Sequence, residues 1–278
     1  MTQVEATGNP NSEPVTAQKP SGQTNLDGLL NREHFHTEFD TLAYLKDFYT
    51  NVDDPAMQMV LTFLPGMVAR LPRINSVLDF GAGPTIHVAV CFRHKAEEIY
   101  LADYLVQNRD ELERWLAHRS TFDWTKTLKM IATQEGMEWS KICEMEPATR
   151  PKIKGIFPCN CLDDNVLDAP RELLGSFGMV TTIFTLEYCC NTQEEYRNAI
   201  RRVVSLVKPG GYFFMGGILE ETWCSFGGRR FTCLYITMDF MLSCLRDAGL
   251  NVDLGNPAET LYYEINGMFL IQCHKPEL

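Results

Sequence analysis

No uninterrupted run of about 18 uncharged apolar residues occurs in this 278-residue chain, so no membrane-spanning helix is expected. Its first ten residues lack the basic and apolar stretches of a secretion signal, and a cytosolic location is the corresponding expectation. Basic residues are also short: 25 Lys and Arg stand against 36 Asp and Glu, for a formal net charge of −11. A surface that tracks phosphates needs concentrated cations, so nucleic acid is not an expected partner, and Arg201-Arg202 and Arg229-Arg230 read as solvated faces. Among ten cysteines no C-x-x-C pair occurs. The close pairs Cys159-x-Cys161 and Cys189-Cys190 do not suit a structural metal site, so free thiols and no metal are expected.

What is present is enough apolar sequence, 45%, to bury a full core. Residues 1–28 are rich in Pro, Asn, Ser, Thr and Gly without aromatics, and are expected to form a disordered tail before a single domain over 29–278. Phe39, Leu42, Tyr44, Leu45, Phe48 and Tyr49 recur at helical spacing behind Asp40, an N-cap residue type. A second helix is expected from Pro55 to about Arg70, bent or ended by Pro65, so that residues 35–72 form an N-terminal helical lid.

After Pro72 strands and helices alternate. Strands are expected at 76–80, 99–102, 154–157, 179–184, 212–216, near 250–254, and at 268–274; helices are expected after the glycine turn and at 107–118, 193–207 and 238–248. The stretch 135–151 reads as a polar, irregular excursion. This rhythm is that of an α/β fold with a mostly parallel sheet covered by helices on both faces.

Within it, Val77 to Phe80 reads as a buried strand, Gly81-Ala82-Gly83 as a sharp turn without Cβ bulk, and Pro84-Thr85 as a helix start. In a doubly wound sheet a nucleoside cofactor binds there, and Asp103, at the end of the next strand, can accept both ribose hydroxyls. A dinucleotide would want a third glycine where Ile86 stands, and Pro84 removes an N–H that a pyrophosphate would use. The turn therefore suits adenosine with an amino-acid tail. Asp79, a carboxylate inside an apolar strand, can anchor the turn or that tail's ammonium.

Four segments together are more specific: Phe39-x-x-x-Ala43-Tyr44-Leu45-x-x-x-Tyr49, Asp79-x-Gly81-x-Gly83-Pro84-Thr85-Ile86, Asp103-Tyr104 with Gln107-Asn108, and Leu206-x-Lys208-Pro209-Gly210-Gly211. From about Phe35 to Lys275 the chain resembles the nicotinamide, phenylethanolamine and indolethylamine N-methyltransferases. The resemblance implies a class I methyltransferase (Rossmann-like) sheet of seven strands and S-adenosyl-L-methionine as cofactor. It implies cofactor contacts at Tyr44, Tyr49, Gly81, Gly83, Thr85, Asp103, Tyr104 and Asn108. His87 stands where the family has a tyrosine, and Asn160 and Cys161 replace the Asp-Val that reads adenine; all three remain candidate cofactor residues. Leu105-Val106 also replace a polar pair.

The same resemblance places acids at Glu187, Glu221 and Glu264. Glu187 and Glu221 follow apolar strands, on the rim where open α/β sheets bind substrate. They are the candidate catalytic residues, binding an ammonium and taking its proton, with Glu264, Phe184 and Tyr44 as further substrate contacts. The nicotinamide type carries an aspartate near the position of Gly217, which this sequence lacks. A pyridine nitrogen needs no proton acceptor, so these acids favour a small-molecule amine substrate. The expected function is S-adenosylmethionine-dependent methyl transfer to such an amine by a monomer. A pyridine such as nicotinamide is the alternative acceptor, and a non-catalytic cofactor-binding protein the second alternative.

Overall fold

The computed structural model describes residues 28–277, so the expected tail lies, except for Gly28, outside the described residues. In chain order the strands are β1 (Leu29–Leu30), β2 (Ile74–Phe80), β3 (Ala96–Asp103), β4 (Ile153–Pro158), β5 (Phe177–Ile183), β6 (Val207–Ile218), β7 (Trp223–Phe226), β8 (Arg229–Thr232), β9 (Thr260–Ile265) and β10 (Met268–His274). The helices are α1 (Phe35–Glu38), α2 (Thr41–Tyr49), α3 (Pro55–Arg70), α4 (His87–Phe92), α5 (Val106–Leu116), α6 (Thr125–Gln134), α7 (Met145–Thr149), α8 (Leu186–Cys189), α9 (Gln193–Ser205) and α10 (Met238–Asp247).

Seven strands form one sheet in the order β4-β3-β2-β5-β6-β10-β9. All neighbouring pairs from β4 to β6 are parallel; β10 runs antiparallel to both β6 and β9. Because successive side chains of a strand face opposite ways, each strand feeds two cores. Val77, Met179 and Phe214 pack with α3, α4 and α6 on one face, whereas Leu78, Val180 and Phe213 pack with α9 and α10 on the other. Each fully buried side chain of this size contributes roughly 1.5–3 kcal/mol relative to exposure. The strand order reverses direction between β2 and β5, which opens a crevice beyond their carboxyl ends.

The lid elements are locally specified. Asp40 Oδ1 accepts the N–H groups of Leu42 and Ala43 at 3.0 Å, and Asp54 Oδ1 accepts those of Ala56 and Met57 at 2.9 and 3.0 Å ahead of Pro55. The helix α3 runs from Pro55 to Arg70 as expected, and Pro65 lies inside it without ending it. Met67 and Val68, buried beyond it, hold the helix to Arg70 despite the missing N–H. A small sheet in the order β1-β8-β7 closes over this region.

Two expectations need correction. Residues 250–254 form no strand: Leu250 is buried, but only Asn251 bridges to His274, and the edge strand is β9. Asn266 and Gly267, both at positive φ (52° and 80°), form the two-residue turn that joins β9 to β10. The stretch 135–151 carries two short 3-10 turns and α7, whose Met145 and Thr149 are buried.

Candidate active site

Beyond the carboxyl ends of β2, β3 and β5 lies a cavity of about 820 Å³, roofed by α1, α2 and the start of α3. Its floor is the glycine turn. Gly81 and Ala82 both donate to Ala102 O, at 2.8 and 2.9 Å, and tie the turn to the end of β3. Gly81 has φ +76°, and a Cβ there would fall 2.8 Å from the Thr185 Cβ, with that residue's Cγ2 and Oγ1 closer still. Only glycine satisfies both conditions.

Asp103 closes the turn from the next strand. Its Oδ2 accepts Gly83 N–H at 2.8 Å, while Oδ1 accepts Leu105 N–H at 2.9 Å and Asn108 Nδ2 at 3.1 Å. Burial raises its pKa, and these hydrogen bonds pull it back. Three of about four acceptor sites are thus filled, which leaves one on Oδ2 for a ligand hydroxyl, not the two the sequence suggests. Asn108 is held in turn by Thr41 Oγ1, which donates to its Oδ1 at 2.9 Å, so helix α2 is wired to Asp103.

Two of the residues that line this space each carry a buried polar atom without a partner among the described residues. Asp79 accepts Thr181 Oγ1 on Oδ1 at 2.7 Å, but its Oδ2 has none, and burial pushes its pKa up to about 7, the field of Asp103 adding to the rise. His87 places Nδ1 3.4 Å from Tyr49 Oη and leaves Nε2 unpaired; burial lowers it to about 4, so the ring is neutral. Thr85, Tyr104, Asn160 and Cys161 also line the cavity, with Asn160 Oδ1 already accepting Leu162 N–H at 3.0 Å. Tyr104 is partly exposed and lies against the ring of His36, a lid residue, at 4.7 Å.

The far end is apolar, with Phe48, Met57, Phe184, Ile218 and Met268 as walls and Tyr44 near the boundary between the halves. Phe184 is held at φ +49° and donates its N–H to Gly216 O at 2.8 Å, a backbone strained into position at the strand end. Behind this wall sits Glu187, 1% exposed, its two carboxylate oxygens without well-formed hydrogen bonds. Burial pushes it up to about 8, opposed by the nearby N–H groups of Glu187, Ile218 and Thr185. A Cβ on Gly217 would lie 2.9 Å from Glu187 Oε1, so the carboxylate fills the space beside that glycine.

The other two expected acids are elsewhere. Glu220 at φ +58° turns the chain after β6, and Glu221 then accepts Thr222 N–H at 2.9 Å in a turn outside the cavity. Glu264 lies on the exposed face of β9, where its carboxylate accepts Tyr262 Oη at 2.6 Å. Neither lines the cavity, and Glu187 differs from them in being buried, not in being part of the lining.

Residues 27–276 match the NNMT/PNMT/TEMT family. The chain belongs to this family. Nicotinamide N-methyltransferase of Caenorhabditis elegans is 38% identical over 77% of this chain and 81% of its own length; indolethylamine N-methyltransferase of Oryctolagus cuniculus is 26% identical over 81% and 88%. Among solved structures, the CurJ carbon methyltransferase superposes with a TM-score of 0.53 at 10% identity, covering 89% of this chain and 62% of that one, and shows the shared class I methyltransferase fold alone. As a member of the NNMT/PNMT/TEMT family the protein is an S-adenosylmethionine-dependent N-methyltransferase.

The residues present fit that cofactor. A glycine turn, one open acceptor site on Asp103 and an unpartnered carboxylate oxygen on Asp79 match a ribose hydroxyl and an amino-acid ammonium. A contact between Asp79 and an ammonium would need the carboxyl ionised, so on that reading cofactor affinity should rise as pH passes through about 7, by roughly tenfold between pH 6 and pH 8. Calorimetry with S-adenosylhomocysteine should show this slope in the wild type, and Asp79→Asn should flatten it. An unchanged slope would remove Asp79 from the contact.

The cavity also includes residues that sequence reasoning passed over: Arg32, His36, Asp54 and Thr185. Asp54-Pro55 carries a visible signal, the cap and first turn of a helix, but a cap by itself says nothing of a cavity. Arg32 holds the start of the lid by a bidentate pair with Glu195, at 2.7 and 3.0 Å.

Proposed function

We propose that the methyl acceptor is a small amine and that Glu187 receives its proton. The observation that carries this reading is the Glu187 carboxylate itself, buried without well-formed hydrogen bonds behind the apolar end of the cavity. An ionisable group left so costs folding free energy and has no structural return, which is the signature of a group kept for chemistry. Gly217 supports the same reading, because the position at which the nicotinamide-type resemblance expects an aspartate is occupied by Glu187's own oxygen.

The chain's residues do three things. Gly81, Gly83, Asp103 and Asn108 seat the nucleoside; Asp79, with Tyr44, Tyr49, Thr85 and His87 around it, receives the amino-acid tail; and Tyr104, Asn160 and Cys161 border the adenine. S-Adenosylmethionine, when bound, supplies an electrophilic methyl group on a sulfonium. An acceptor nitrogen must reach it with a free lone pair, and holding the two in line supplies up to roughly 7–11 kcal/mol. Phe184 and Tyr44 fix the acceptor's position, and ionised Glu187 takes the proton an alkylammonium must lose. Glu221 and Glu264 have no part in this scheme.

We infer further that the protein acts as a single-domain cytosolic monomer without nucleic-acid or membrane partners. Its net charge of −11 and ten free cysteines support this, and no helix among the described residues is long and apolar enough to cross a membrane. The name of the Caenorhabditis elegans relative favours a second reading, a pyridine acceptor. Steady-state rates for 2-phenylethylamine, tryptamine and nicotinamide separate the two: the amines are expected to have the higher kcat/KM, and a clear preference for nicotinamide would overturn the amine assignment.

A further inference from the structure

Four carboxylates line the cavity: Glu33, Asp54, Asp79 and Asp103. Asp79 and Asp103 belong to the glycine-turn half described above. Glu33 has a largely exposed side chain beside Arg32, with Nε to Oε1 at 3.8 Å, and so stands at the solvent mouth. Asp54 remains. Pro55, Ala56 and Met57, the residues that follow it, line the cavity too, so the start of α3 forms part of the wall.

The two oxygens of Asp54 are not equivalent. Oδ1 is committed to the N–H groups of Ala56 and Met57, whereas Oδ2 has no hydrogen-bond partner among the described residues. The backbone bonds fix the carboxylate's orientation before any ligand arrives, and its half-buried position shields it partly from solvent. Burial raises the thiol of Cys224, another lining residue, to about 12, and the fields of Glu187, Glu221 and Asp54 add to that rise. Asp54 also adds to the burial-driven rise of the Tyr44 hydroxyl. Asp54 caps the helical turn whose Met57 is one of the apolar walls, which puts it at the acceptor end, on the lid side of the cavity.

We propose that Asp54 is the specificity-determining residue of the acceptor site, binding the positive charge of an alkylammonium through Oδ2. This rests on the amine reading and deepens it: Asp54 captures the cation from the lid side, and Glu187 removes its proton from the sheet side. Only Oδ2 is free to accept, so the contact is a single charge-assisted hydrogen bond, suited to one ammonium and not to a planar bidentate guanidinium. A neutral pyridine gains nothing from it. Asp54 thus separates the two acceptor classes that this cavity could accommodate by size.

Asn caps a helix about as well as Asp, so Asp54→Asn removes the charge and keeps α3 intact. Asp54→Ser, which also caps, is the second variant. The readout is calorimetric binding of 2-phenylethylammonium and of nicotinamide at pH 7 to protein saturated with S-adenosylhomocysteine. Both variants are expected to bind the ammonium about tenfold or more weakly than the wild type, with nicotinamide and S-adenosylhomocysteine affinities unchanged. Ammonium affinity equal to wild type in Asp54→Asn would overturn the assignment of Asp54 while leaving the amine reading in place. Failure of the wild type to bind the ammonium at all would overturn both, and parallel losses for ammonium and nicotinamide would show a merely structural role. Ammonium binding that depends on Asp54, without methylation of any amine, would overturn the amine reading alone.

Discussion

Replacing Gly81 with alanine is expected to weaken S-adenosylhomocysteine binding at least about a hundredfold, equivalent to roughly 2.7 kcal/mol. Two costs add. The residue sits at φ +76°, where an L side chain costs about 1–2 kcal/mol, and its Cβ would collide with the Thr185 side chain. Thr185 cannot retreat cheaply, because its Oγ1 donates to Ile183 O at 3.0 Å and its neighbour Phe184 is already strained. The collision would push the end of β5 away from the end of β2, the two strands that frame the crevice. Gly83→Ala is the internal control: φ is +59°, but the nearest atom to its Cβ is Thr85 Cγ2 at 3.9 Å. That variant should lose only a few-fold in affinity. Calorimetry on both, together with Gly81→Ala combined with Thr185→Ala, tests the steric account. The double variant should recover part of the binding; equal losses for Gly81→Ala and Gly83→Ala would refute it.

Glu187→Gln should lower kcat on an amine by roughly 10²–10³-fold, the usual contribution of a positioned proton acceptor, with little change in cofactor affinity. The pH dependence gives a sharper signature. A carboxyl held near 8 is mostly protonated at neutral pH and cannot accept a proton until it ionises, so wild-type kcat should climb through about pH 8 and then level. The variant should lose that limb. Folding responds in the opposite sense. In the ligand-free protein Glu187 binds a proton that the unfolded chain releases near its ordinary value, so its favourable contribution is complete below about 4.5 and is lost as pH rises through about 8. At pH 9 Glu187→Gln should therefore melt no lower than the wild type, which separates lost chemistry from lost structure. A variant that retains wild-type kcat would remove Glu187 from the reaction.

The sheet was legible because apolar strands buried on both faces leave a plain trace. Residues 76–80, 99–102, 154–157, 179–184, 212–216 and 268–274 fall on or across β2, β3, β4, β5, β6 and β10. The turn at Gly81-Ala82-Gly83 and the acid at Asp103 were legible for the same reason: their roles follow from strand position. The edge strand was not. Residues 250–254 look apolar because Leu250 plugs the core after α10, while β9 carries Tyr262 and Glu264 on a face half open to solvent and reads poorly as a strand.

The acids show where residue spacing stops being informative. Glu187 comes four residues after β5, on α8, where it is buried behind the cavity wall rather than among the residues that line it. Glu221 is directed by one left-handed residue, Glu220, and Glu264 by the register of a two-residue hairpin, where a shift of one position exchanges the faces of the strand. Neither feature can be read from the approximate placement of a strand end. Asp54 is the reverse case. Its sequence context announces a helix cap, and only the folding of α3 over the sheet brings that cap to the cavity.

Transfer of a trideuteromethyl group from labelled S-adenosylmethionine to an alkyl amine, with the label located in the product by tandem mass spectrometry, tests the central claim most directly. One label on the amine nitrogen is the predicted result. Label confined to a pyridine nitrogen, or no labelled product on any amine although the cofactor binds, would contradict it.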